Sequence, residues 1–163
     1  MRIFARTTLI WMLVAFLGET VVARLVDIKG IAPDFSIIAL VLLSLLAGRF
    51  SGTVGGFILG LIQDLSNPAL LGLHALCKSV LGFSLGHLRG RLAHGLPIVE
   101  GTVVALAVLG HDIVFLLVQS RLIDEGFLRP LLTQTVPVAI YSGVAGVVVI
   151  RLAEMLGILG GED

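Results

Sequence analysis

Cysteine is nearly absent from this sequence: Cys77 stands alone among 163 residues, inside an apolar run. A single thiol excludes an intrachain disulfide framework and every CxxC metal or redox motif. Charge is almost as scarce. Charged residues make up 13% of the chain, 11 acids against 11 bases with no run of one sign, so the linear pattern points neither to nucleic acid nor to a strongly anionic surface. Catalytic motifs are missing too. No HExxH, GxGD or GxSG occurs, and no Walker A or dinucleotide-binding glycine pattern sits in a strand–turn–helix context. Residues 82–86, GFSLG, fit the GxSxG nucleophile pattern, but that motif works at a sharp strand-to-helix elbow and this stretch lies in an apolar helical run. The expectation is a non-enzyme with no catalytic residue, no metal and no cofactor.

What the chain has is apolar length. Hydrophobic residues are 57% of the total and mean hydropathy is +1.09, outside the balance of a water-soluble domain. A membrane-spanning helix takes about 20 mostly apolar residues, so six spans occupy most of the chain and leave no room for a soluble domain. Charge, glycine and proline divide the apolar runs into one integral membrane domain over 1–163. Its spans fall near Thr8 to Leu25, Pro33 to Ala47, Phe50 to Leu65, Ala69 to Leu88, Pro97 to Gln119 and Leu131 to Leu152. The second and third are short and nearly continuous, which implies a tight hairpin of shallow helices, with a five-span arrangement as the alternative. Arg2 and Arg6 ahead of the run from Leu9 to Leu17 have the layout of a signal peptide, here read as a retained first span. Six spans place Arg2, Arg6, Arg49, Arg89, Arg91 and Arg151 on one side and Arg24, Lys29, Arg121 and Arg129 on the other. The positive-inside rule then puts both termini in the cytoplasm. Pro137 should bend the last span and leave Gln134 and Ser142 near the freed carbonyls.

Helices in lipid adhere through close approach at small residues. Gly52, Gly56 and Gly60 repeat every fourth residue in the third span, and Gly82 and Gly86, followed by Gly90, do so in the fourth. These are the candidate helix-packing or partner-binding positions, whereas an aliphatic position such as Val41 reads as lipid-facing. A short Ser66-Asn67-Pro68 turn makes the two spans antiparallel and predicts Asp64 opposite His74, Gly60 opposite Lys78, Gly56 opposite Gly82 and Gly52 opposite Gly86. Asp64, His74 and Lys78 then form a polar cluster, and His111 with Asp112 in the fifth span belong to the same candidate set. Adjacent residues on a helix point about 100° apart, so His111 and Asp112 border one cavity without both facing one partner. An ammonium inside a span needs a partner or water, and Asp64 is the nearest acid for Lys78, with Asp112 and Glu19 as alternatives. A structural network outweighs catalysis here, with a ligand pocket as the competing idea.

The stretch from Gly55 to Leu88 resembles the MreD family of bacterial rod shape-determining membrane proteins. The family pattern of a Gly-x-x-x-Gly-Leu run, an Asp at the helix end, a polar turn, Leu-Gly, Ala-Leu and a glycine-containing helix is met by Gly56, Gly60, Leu61, Asp64, Ser66 to Pro68, Leu71-Gly72, Ala75-Leu76 and Gly82. Lys78 departs from that pattern, so no family role is carried to it. The resemblance implies an all-α, polytopic bundle of six transmembrane helices, similar to the S-components of energy-coupling-factor (ECF) transporters. It also implies a multi-pass protein of the bacterial inner (cytoplasmic) membrane and a scaffold subunit of the elongation machinery that helps regulate peptidoglycan synthesis and cell shape. The implied partners are MreC directly, MreB, RodA and its penicillin-binding transpeptidase partner in a larger complex, and the lipid bilayer, with no nucleic acid. The runner-up is an S-component-like subunit that binds a small molecule such as a vitamin for a transporter.

Overall fold

The computed structural model describes residues 11, 13–15, 17–66, 70–90, 96–122 and 126–156. The first residues of the span expected from Thr8 and the core of the Ser66-Asn67-Pro68 turn lie outside that set. Among the described residues there is no strand, only an isolated antiparallel bridge between Ile28 and Ile31. That bridge closes a turn in which Lys29 and Gly30 both take positive φ and Asp27 Oδ1 accepts the Gly30 N–H at 2.6 Å.

Among the described residues six helices follow one another. Helix α1 runs through the described part of 11–25, with a π-helical turn at Gly18–Val22 and a last turn at Ala23–Leu25. Helix α2, Phe35–Ala47, starts where the Asp34 side chain accepts the Ile37 N–H at 2.7 Å, the ordinary work of an aspartate at a helix start. It is apolar on every side and buried from Phe35 to Ser44, so it is the central helix of the bundle. Val41 is 1% exposed and belongs to this core, which corrects its reading as a lipid-facing position. The chain reverses at Gly48, whose φ of +84° suits a residue without Cβ, and enters α3, Arg49–Asp64. Helix α4 is Leu73–His87 and α5 is Pro97–Leu122, which opens on a proline at its first position.

Helix α6, Leu128–Met155, contains a π-helical turn at Leu131–Thr135 just ahead of Pro137. Pro137 has no N–H for the carbonyl four residues back, and the wider turn is where the helix absorbs that loss. Gln134 is exposed there, and Ser142 is buried and accepts the Asp34 N–H at 2.9 Å. Ser142 thus ties α6 to the start of α2, in place of the expected role beside the carbonyls freed by Pro137.

At 1.5 Å per residue, α5 with 26 residues and α6 with 28 reach about 40 Å, while α2, α3 and α4 with 13, 16 and 15 reach only about 20–24 Å. Among the described residues, α5 and α6 are the two helices long and apolar enough to cross a membrane. The three short helices are held by packing: α3 lies along α4 over most of its length, α5 along α6, and α2 touches both pairs.

Candidate functional site: a glycine-packed hairpin and its polar cluster

The α3–α4 hairpin is built backbone to backbone. A Cβ on Gly52 would overlap the Gly82 carbonyl and one on Gly82 would overlap Gly52; Gly56 lies against the Lys78 and Ser79 backbone, Gly60 against His74 and Ala75, and Gly86 against Gly48 and Arg49. All five candidate glycines therefore sit at the contact. The register differs by one turn from the sequence expectation, since Gly82 meets Gly52 in place of Gly56, Gly86 meets the start of α3, and Gly60 meets Ala75 in place of Lys78. Leu70, buried with Leu73 and Cys77, already packs into the bundle before α4 begins.

A second close approach joins the long helices. A Cβ on Gly143 would come within 2.8 Å of the Gly101 carbonyl oxygen, and Gly146 lies on Val104. The four-residue glycine period that marks α3 and α4 does not cover this pair; the only sequence signal was a Gly143-x-x-Gly146 step.

The one-turn shift re-partners the polar cluster. Asp64 is 0% exposed and takes the first turn of α4, its Oδ2 accepting the Gly72 N–H at 2.9 Å and the Ala75 N–H at 3.1 Å, its Oδ1 the His74 N–H at 3.1 Å. The depth match with His74 is thus real but is made by the His74 backbone. Lys78 is also 0% exposed, and its ammonium donates to Ser36 Oγ on α2. The expected Lys78–Asp64 pair does not form. Lys78 sits level with Gly56, eight residues and about 12 Å along α3 from Asp64, and its stem runs across to α2. Glu19, one of the alternative partners, reaches the same spot from α1, where its Oε2 accepts the Ser36 N–H at 3.3 Å. Sequence reading missed Ser36 and Asp34, and it gave Ser142 a different partner. Only Asp34 carried a signal, an aspartate directly ahead of an apolar run.

His111 and Asp112 bond each other, Nδ1 to Oδ1 at 2.9 Å, an arrangement the 100° argument did not anticipate because it considered only outside partners. His111 is buried and stacks within 5.6 Å of His74, which lies 4.1 Å from the Phe115 ring, and the three rings join α4 to α5. Among the described residues no three His, Cys, Asp or Glu side chains converge to hold a metal ion. Ser84 of the GFSLG stretch is an exposed helical residue bonded to the Val80 carbonyl at 2.8 Å. Carboxylates bound to backbone N–H groups and an ammonium bound to a hydroxyl hold helices together; this is what the cluster does chemically.

The family model for the rod shape-determining protein MreD matches residues 1–155. The chain belongs to the MreD family. That membership places it among shape-determining membrane proteins and suggests a role in determining rod shape. No curated protein and no solved structure gives a match, so the likeness to S-components rests on the family resemblance alone.

Proposed function

We propose that this MreD family member is a non-enzymatic scaffold of the rod-shape machinery, a six-span bundle of the cytoplasmic membrane with both termini inside, and that it docks the single transmembrane helix of MreC. Through MreC it joins MreB, RodA and the transpeptidase partner of RodA in regulating peptidoglycan synthesis. The observation that carries this reading is the hairpin itself. Its inner face is spent on glycine contacts, while Phe57, Ile58, Leu61, Leu76, Val80 and Phe83 stand exposed on its outer surface. In lipid such a surface gains nothing by hiding from water, and a rigid ridge of this kind suits a partner helix that packs by shape. Co-purification of MreC from native membranes tests it: a Leu at Gly56 or Gly82 should reduce recovery of MreC, and undiminished recovery with both variants would count against the hairpin.

One feature favours the carrier reading. A groove of about 350 Å³ between α1, α2 and the end of α3 is lined by Glu19, Thr20, Ser36 and Gln63 among aliphatic residues, the size and mixture a small ligand uses. A vitamin retained through purification and lost on Ser36→Leu would establish that reading over the scaffold.

A further inference from the structure

At the opposite end of the hairpin from Asp64, folding gathers basic groups that are far apart in sequence. Arg49 is the first residue of α3, His87 the last of α4, and Arg89 follows it by two. They surround a cleft of about 630 Å³ whose floor is Gly48 and Gly86, within the range of about 300–1,000 Å³ typical of small-ligand sites. The Arg89 guanidinium lies over Gly48, 3.4 Å from where a Cβ would stand, so the space left by that missing side chain is where the arginine rests. Among the described residues no carboxylate pairs with Arg49 or Arg89, and the acids at this end of the bundle, Glu100 and Glu154, both bind Arg151, at 3.1 and 2.5 Å. Phe50 forms the rim at 73% exposure, with Phe83 exposed on α4 and Leu88 exposed just after it. The cleft therefore has a cationic interior beside an apolar outer belt.

We infer that this cleft binds the phosphodiester headgroup of an anionic phospholipid, whose acyl chains lie along Phe50 and Phe83. Two guanidiniums without an acid partner select an anion, and arginine forks match phosphate oxygens in pairs. The apolar rim selects an anion that carries hydrocarbon over a soluble one. Basic pockets between helices at the membrane surface are where anionic headgroups concentrate, and in the proposed six-span arrangement this is the cytoplasmic end. Helix α3 also starts at a glycine with no side chain to cap it, so its amino end adds field of the same sign. The inference rests on the bundle lying in a bilayer and is independent of which protein it binds.

The test uses the full chain in detergent, with lipid adducts counted by native mass spectrometry and thermal unfolding followed in parallel. Phosphatidylglycerol should bind and raise the unfolding temperature, while phosphatidylcholine, with the same chains and no net charge, should do neither. The double variant Arg49→Gln/Arg89→Gln should lower the phosphatidylglycerol preference by roughly 30-fold, about fivefold for each arginine, and 0.5 M salt should weaken it as well. Arg24→Gln, at the far end of the molecule, should leave the preference unchanged. Both arginines are exposed, and Arg49 enters the hairpin contact with Gly86 only through its backbone, which the substitution keeps, so lipid-free unfolding of the double variant should match the parent. Equal binding of the two lipids, an undiminished preference in the double variant, or full competition by soluble glycerol phosphate would each overturn the assignment. Failure to recover MreC alongside an intact phosphatidylglycerol preference would sink the scaffold reading and leave the lipid site standing.

Discussion

Lys78 gives the sharpest check on the structure, because its expected partner in sequence and its partner in space differ. Ser36→Ala removes the oxygen that holds the ammonium. Lys78 is 0% exposed, so water does not replace that oxygen, and a hydrogen bond to a buried charged group is worth about 1.5–3 kcal/mol. Lys78→Met removes the charge and keeps the stem volume, and replacing a buried charge by an apolar group is near neutral when nothing is left unpaired. The double variant should then recover most of what Ser36→Ala loses, a coupling of about 1.5–3 kcal/mol. Asp64→Ala strips three N–H groups of their acceptor and should cost about 3–5 kcal/mol. With about 12 Å of helix between Lys78 and Asp64, their effects should add to within about 0.5 kcal/mol. Thermal unfolding in one detergent at one pH, for the single and double variants of both pairs, measures the two couplings. Strong coupling of Lys78 to Asp64 with none to Ser36 would show that the hairpin register described here is a turn out.

Three further outcomes follow from the same geometry. Gly82→Leu should unseat the hairpin and lower the unfolding temperature sharply, since even a Cβ overlaps Gly52, while Val80→Leu, on an exposed position of the same helix, should be silent in the same assay. Gly143→Leu should be as damaging as Gly82→Leu, because Gly101 lies directly opposite; equal stability of variant and parent would remove the α5–α6 contact. Reporters fused after Asp163 and between Arg89 and Gly95 should read cytoplasmic and one between Arg121 and Arg129 external, and an external carboxyl terminus would end the six-span arrangement.

Periodicity and punctuation were enough to find the helices, since proline, glycine and charge interrupt the apolar runs near the ends of α2 through α6. They could not separate core from lipid. In a soluble protein an apolar face marks the interior, but here Val41 at 1% and Val80 at 59% exposure are the same residue, each within an apolar helical run. The glycines were legible for the same reason the aliphatic residues were not: close approach of two backbones demands a missing side chain, whatever the solvent. Register was harder. Antiparallel pairing follows from a short connection, but its phase depends on whether the linking residues turn symmetrically, and Leu70 to Gly72 do not. One turn of slip was enough to move Lys78 from Asp64 to Ser36. The span count put Arg49 and Arg89 on one side, but their meeting in one cleft was not legible, because they are forty residues apart and depend on the hairpin to bring them together.

Asp34 and Asp64 meet one physical demand, set at the starts of α2 and α4. A helix that starts inside a packed apolar bundle leaves its first N–H groups where no water can bind them, and each orphan is costly. Asp34 meets that demand for α2 in the usual way, from the position just before the helix. Helix α4 cannot do so, because the residue in that position is Gly72, held at φ +94°, where a side chain would be strained. Its acceptor comes instead from Asp64 at the end of the neighbouring helix, which explains why an aspartate stands at the close of α3 and why the two helices must be glycine-packed. Only backbones this close let one short carboxylate reach three donors of the next helix. The glycine ridge and the buried aspartate are therefore two parts of a single device, and substituting either should release the same element, the first turn of α4. Hydrogen exchange separates this from a merely local effect: the His74 and Ala75 amides should lose protection in Asp64→Ala and in Gly60→Leu alike, while amides in the middle of α5 keep theirs. Loss in one variant and full protection in the other would show that the cap and the packing are independent.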